Sequence, residues 1–219
     1  MTSSKRPPTE ADHREAICRT AVSLFNRGLT HGSTGNISVR LDDGGWLMTP
    51  TGSSFGTLDP ARLSRLDADG RHIDGDAPTK EAFLHTVMYD QRPGSGAVVH
   101  LHSTYSVAVS CLDGIDCKNC LPPMTAYYVM RVGKLPIVPY APPGDPALAD
   151  AVATLANRHH AVLLANHGPV VAGASLSAAT DAIEELEETA RLFLMLEGRP
   201  LRILTESQAD ELHARFNAG

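Results

Sequence analysis

The sequence predicts one mixed α/β domain built around a largely antiparallel sheet, and three observations carry that prediction. Two hairpin patterns, "NISVRLDDGGWLMTPTG" and "LSRLDADGRHIDGD", each hold two strand-like runs joined by a glycine-containing turn. Stretches with apolar residues at helical spacing surround them, and "SLSAATDAIEELEETARLFLMLEG" is the longest. The 219 residues are 42% apolar and carry no linker, repeat or low-complexity tract, so a single core serves the chain.

In chain order, residues 1–8 read as a loose terminus and residues 9–219 as the domain. From Thr9, "TEADHREAICRTAVSLFNRG" reads as a first helix, with Thr9 as cap and Gly28 ending it. The two hairpins follow, and hairpins argue for antiparallel pairing. "TKEAFLHTVMYDQR" is a helix with Thr79 at its start and Glu81 in its first turn. "AVVHLHS" is a buried strand, residues 103–112 are helical, and a Cys/Pro-containing segment leads to the short apolar run "LPIVPY". Asp145 caps a helix that has Pro146 at its first position. "AVLLA" is a buried strand that breaks at "NHG". The long amphipathic helix comes next, and a last helix opens with a Thr205–Gln208 capping box.

The composition excludes several classes. A formal charge of −6 argues against a general nucleic-acid binder. No apolar run approaches the ~18 residues of a membrane span, and the start "MTSSKRPPTEADHRE" lacks the apolar core of a signal peptide. A bacterial-type cytoplasm is therefore expected, with no membrane partner. "CKNC", with Cys117 and Cys120, has redox spacing but neither a second pair nor a thioredoxin-like context, so it reads as ordinary loop thiols.

The chemistry gathers at histidines. On a strand, residues two apart share a face, so His100 and His102 point the same way from an apolar run. Two imidazoles on one buried face suggest a metal ion. His167 follows the strand "AVLLA", where a turn at the sheet edge aims its ring, and the helix macrodipole favours a carboxylate at Glu81. Three imidazoles and a carboxylate suit a divalent transition metal, most often zinc. His85 competes, being four residues from Glu81 on one helix face, and the residues alone leave the set undecided. In "HGSTGNISVR", Gly32 and Gly35 permit close backbone approach while Ser33, Thr34, Asn36 and Ser38 suit phosphate oxygens. The stretch is neither a P-loop nor a dinucleotide fingerprint.

"STGNIS", "TPTG", "KE" before a helix, "AVVHLHS" and "LLANHG", in this order and spacing, resemble the class II aldolase/adducin family over roughly residues 10–200. Within it, "TGSSFGTLDPARLS", "YYVMRVGKLPIVPY" and "EELEETA" resemble the 3-oxo-tetronate 4-phosphate decarboxylase subgroup. The resemblance implies a three-layer α/β/α fold with a central, mostly antiparallel sheet. It also implies a homotetramer with active sites between subunits. It implies one Zn2+ per chain on His100, His102 and His167, with Glu81 at the metal and serving as acid/base. Phosphate of a small sugar-acid substrate would lie on Asn36, Thr51, Gly52 and Thr79. The family's catalytic tyrosine best matches Tyr127, with Tyr128 next. Lys80 departs from the small hydroxyl residue that sugar aldolases place there, and its charge fits a substrate bearing carboxylate as well as phosphate. The implied activity is decarboxylation to dihydroxyacetone phosphate through a zinc-stabilised enediolate. The alternatives are an aldolase or 4-epimerase acting on a phosphorylated sugar, or a non-catalytic adducin-like assembly module.

Overall fold

The structure, a computed structural model, describes residues 6–142 and 144–216. Most of the expected loose terminus 1–8 lies outside the described residues. Helix α1 spans Glu10–Asn26, and its start is the expected cap in doubled form. Thr9 Oγ1 accepts from the Asp12 backbone N–H while the Thr9 N–H donates to the Asp12 carboxylate at 2.7 Å. The remaining helices are α2 (Ala82–Gln91), α3 (Thr104–Ser110), α4 (Ala126–Arg131), α5 (Pro146–Ala156), α6 (Leu176–Met195) and α7 (Glu206–Phe216). The strands are β1 (Asn36–Arg40), β2 (Trp46–Met48), β3 (Ser64–Leu66), β4 (His72–Asp74), β5 (Ala97–His100), β6 (Ile137–Val138), β7 (Ala161–Leu164) and β8 (Gly168–Gly173).

They form one eight-stranded sheet in the order β4-β3-β2-β1-β5-β8-β7-β6. Every pairing is antiparallel except β6 with β7. Alternation along the strands sends two sets of side chains to two faces. Ile37, Val39, Ala97 and Val99 pack with Ile17, Ala21 and Leu24 of α1 and with Ile183 and Leu186 of α6. Val98, Val162, Val170 and Ala172 pack with Leu84 and Met88 of α2 and with Leu148 and Val152 of α5. The architecture is therefore the expected three-layer α/β/α arrangement.

The structure corrects the sequence reading in four places. The helix expected from Thr79 begins at Ala82, and Glu81 takes the N-cap position rather than the first turn. Thr79 instead closes a preceding turn, its carbonyl accepting from the Ala82 N–H at 3.1 Å. Strand β5 ends at His100, so Leu101 and His102 run on beyond the ladder. "GPVVAG", not anticipated as a strand, is β8 at the heart of the sheet. The Cys/Pro-containing segment holds the short helix α4, and "IV" between two prolines pairs as β6.

Candidate active site

Three chain segments deliver four donor groups to one end of the central strands. His100 closes β5, His102 lies two residues beyond it, His167 sits in the β7–β8 turn, and Glu81 stands at the N-cap position of α2 with its carboxylate free of any capping bond. The register places Asn36 of β1 and Val170 of β8 on either side of His100. The turn that carries His167 is tightly specified. Asn166 adopts φ 56°, the left-handed region that asparagine tolerates better than most residues. Its side-chain amide donates to Cys111 Sγ at 3.5 Å. At Gly168 (φ 145°) an added Cβ would stand 2.3 Å from the Leu101 carbonyl oxygen. Only glycine lets this turn press against the backbone that leads to His102.

His100 Nε2 lies 3.0 Å from His102 Nε2. Glu81 Oε1 lies 3.1 Å from His167 Nε2, and Glu81 Oε2 lies 3.5 Å from His100 Nε2. The three rings meet edge to face with centroids 4.6–5.0 Å apart. One donor atom from each of the four residues falls within 4.8 Å of all the others. This donor chemistry fits a divalent transition metal, and the group could hold one.

The electrostatics favour the required protonation states. Burial lowers the pKa of His102 to about 3, and the closeness of the His100 and His167 rings further disfavours a proton there. Burial likewise lowers that of His100, so both imidazoles are neutral near pH 7. Burial alone would raise the pKa of Glu81. The hydrogen bond from His167, the nearby His100 ring and the Asn36 amide outweigh it and hold Glu81 below the usual carboxylate range. Neutral imidazoles around a carboxylate are what a cation requires of its ligands.

Other residues singled out from sequence are distributed around this cluster. Asn36 is buried, and its Nδ2 donates to Glu81 Oε2 at 2.8 Å and to Thr79 Oγ1 at 3.3 Å. His85, the competing imidazole, turns its Nε2 to Asn36 Oδ1 and stands outside the donor group. Burial pushes its pKa down to about 3. Thr51 and Gly52 line a cleft of about 340 Å³ with Ser53, Arg62 and Asp76. The Thr51 N–H donates to the Ala77 carbonyl, tying that loop to the segment before Glu81. Lys80 is exposed and makes no hydrogen bond or ion pair among the described residues. Tyr127 is 60% exposed with the Arg131 guanidinium over its ring, whereas Tyr128 is enclosed in the core. Of the two tyrosines, only Tyr127 faces outward.

A cavity of about 490 Å³ opens onto His102 and His167 and is also lined by His31, Tyr140 and Asn166. These three were missed from sequence. His31 opens "HGSTGNISVR", Asn166 opens "NHG" and Tyr140 closes "LPIVPY", so each lay inside a stretch already quoted and that membership was the available signal. All four cysteines are free, and no helix among the described residues is long and apolar enough to cross a membrane.

Comparison with known proteins adds an independent line. Residues 15–194 match the family described as "Class II Aldolase and Adducin N-terminal domain". The chain is 51% identical over 205 residues to a 3-oxo-tetronate 4-phosphate decarboxylase of Escherichia coli, covering 94% of this chain and 97% of that protein. It is 34% identical over 180 residues to an L-fuculose phosphate aldolase of Escherichia coli, covering 81% and 80% respectively. The crystal structure of YgbL from Escherichia coli superposes with a TM-score of 0.91 at 51% identity, covering 93% of this chain and 98% of that one.

Proposed function

This chain belongs to the class II aldolase and adducin family, and from that premise we propose that it is a carboxy-lyase acting on a 3-oxo-tetronate 4-phosphate. The products are dihydroxyacetone phosphate and carbon dioxide. The observation that carries the reading is the convergence of three imidazoles and one carboxylate beside an open cavity. It occurs in a chain that resembles named decarboxylases along nearly its whole length.

In a 3-oxo acid the bond between the carboxylate carbon and C2 breaks, and its electron pair moves toward the C3 ketone. A proton must then reach C2. His100, His102 and His167, with Glu81 beside them, would hold one zinc ion per chain. When bound, such a cation supplies Lewis-acid stabilisation of negative charge on substrate oxygens, worth several kcal/mol. Glu81 is assigned the proton transfer: as an anion braced by Asn36 on Oε2 it first accepts a proton from water entering through the open cavity and then passes it to C2. Tyr127 of a neighbouring subunit is the second candidate donor, which requires a homotetramer with active sites between subunits.

The phosphate is assigned to Asn36, Thr51, Gly52 and Thr79. Hydrogen bonds between Thr51 and Ala77 and between Asn36 and Thr79 hold these segments together. The ammonium of Lys80, which has no partner among the described residues, is assigned to an oxygen of the doubly anionic substrate. The reading places the enzyme in a bacterial-type cytoplasm. The test is product analysis of zinc-loaded protein with 3-oxo-tetronate 4-phosphates and ketose 1-phosphates. Release of carbon dioxide together with dihydroxyacetone phosphate supports the reading. Aldehyde release from a ketose 1-phosphate without carbon dioxide would make the protein an aldolase instead.

A further inference from the structure

Behind Glu81 runs a line of buried hydrogen bonds of which the chemistry above uses only the first member, Asn36. Asn36 Nδ2 donates to Glu81 Oε2, and Asn36 Oδ1 faces His85 Nε2. On the far side of the ring, Ser38 Oγ lies 2.7 Å from His85 Nδ1 and 2.8 Å from the Tyr89 hydroxyl. Ser38 and His85 are 0% exposed, Tyr89 1% and Asn36 3%, so water cannot substitute for a lost link.

The polarity of this line is forced. An ionised carboxylate only accepts, so Asn36 turns its NH₂ toward Glu81 and its oxygen away. An amide oxygen only accepts, so His85 Nε2 carries the hydrogen. A neutral imidazole protonated at Nε2 is bare at Nδ1, so the Ser38 hydroxyl donates there and accepts from Tyr89. Reversing the Asn36 amide would set its oxygen against the carboxylate and its NH₂ against the ring N–H. The Thr79 contact cannot enforce this orientation, because a hydroxyl both donates and accepts and tolerates either amide rotamer.

We infer that His85 is a positioning residue for Glu81: through the Asn36 amide it fixes the direction in which the carboxylate faces the imidazole cluster. The inference rests on the carboxy-lyase reading for its kinetic test only; its spectroscopic test needs only the metal. Cobalt is loaded into wild type, His85→Leu, His85→Gln and Glu81→Gln, and visible spectra, kcat and KM for a 3-oxo-tetronate 4-phosphate are compared. His85→Leu is expected to keep its cobalt stoichiometry and to shift the visible band in the same direction as Glu81→Gln. Its kcat is expected to fall roughly 10- to 100-fold, in the range seen when groups that orient ligands are removed, with KM little changed. His85→Gln, whose amide N–H can reach the same oxygen, recovers most of that loss. Added to Glu81→Gln, His85→Leu brings no further loss, because both act through one carboxylate.

An unshifted cobalt spectrum in His85→Leu overturns the inference, and so does a full additive loss in the Glu81→Gln background. If His85→Leu does not fold, Ser38→Ala, which leaves Nδ1 bare, replaces it. The same shift at smaller amplitude supports the inference, and an unshifted spectrum overturns it. Wild-type protein that releases no carbon dioxide removes the carboxy-lyase reading and leaves the cobalt comparison to decide on His85.

Discussion

His100 Nδ1 stands 2.8 Å from the carbonyl oxygen of Pro169, a residue of the neighbouring strand β8. A carbonyl only accepts, so Nδ1 carries the hydrogen and Nε2 presents its lone pair to His102 and Glu81. A backbone group of the sheet thus sets the tautomer of a candidate ligand, much as partners of the outer nitrogen do in metal sites generally.

His100→Ala, His102→Ala and His167→Ala should each remove most bound metal, whereas His85→Ala should retain it. His85 directs its nitrogens at Asn36 and Ser38 and not at the cluster. Metal equivalents per chain after dialysis provide the check, and equal loss in His85→Ala would show that the third imidazole was misassigned.

Glu81→Gln should keep substantial metal yet lose ~10²-fold or more in kcat, the range typical of a general acid or base. The amide still fills the space beside His167 and His100 but cannot hold or move the proton. Near-native turnover in this variant would take Glu81 out of proton transfer.

Lys80→Met removes a charge and keeps an apolar stem at an exposed position. A charge-assisted hydrogen bond to an anion contributes roughly 1.5–3 kcal/mol, or about ten- to a hundredfold. That loss should appear in kcat/KM for a 3-oxo-tetronate 4-phosphate, with oligomer size followed by light scattering. A ratio within about twofold of wild type, combined with a weakened oligomer, would make Lys80 an interface residue.

Metal-free protein should lose stability as pH falls from about 6.5 toward 3, because burial holds His85 near 3 against an ordinary value of 6.5. The folded state resists the proton that the unfolded chain accepts. The stabilisation is therefore complete above 6.5 and declines by about 1.4 kcal/mol per pH unit below it. His102, also held near 3, adds to the same window. Urea midpoints in chelator at pH 7, 6 and 5 test this, and a flat series would contradict it.

The legible parts of the fold were those written in local chemistry. Thr9 with Asp12, Asp145, and Thr205 with Gln208 each mark a helix start through hydrogen bonds that span a few residues. Strand β8 was hidden because it opens on Gly-Pro directly after a turn and owes its place to partners on both sides. Helix α4 is six residues long, too short for periodicity to show among the cysteines and prolines that precede it. At the site, His-x-His was readable from alternation even though the ladder stops at His100. The role of His85 was not readable. Its partners Asn36 and Ser38 lie 49 and 47 residues away in sequence, and only the β1–α2 packing joins them.

Gly168 bears no side chain that could bind, donate or ionise, yet a Cβ there would strike the Leu101 carbonyl oxygen. Every alternative amino acid brings that carbon. In a random mutagenesis library, position 168 should therefore score as intolerant as the histidine beside it. The lesion would be a displaced backbone next to His102, with the donor groups themselves unaltered. A functional map ranked by mutational sensitivity would thus enrol a residue whose whole contribution is the room it leaves.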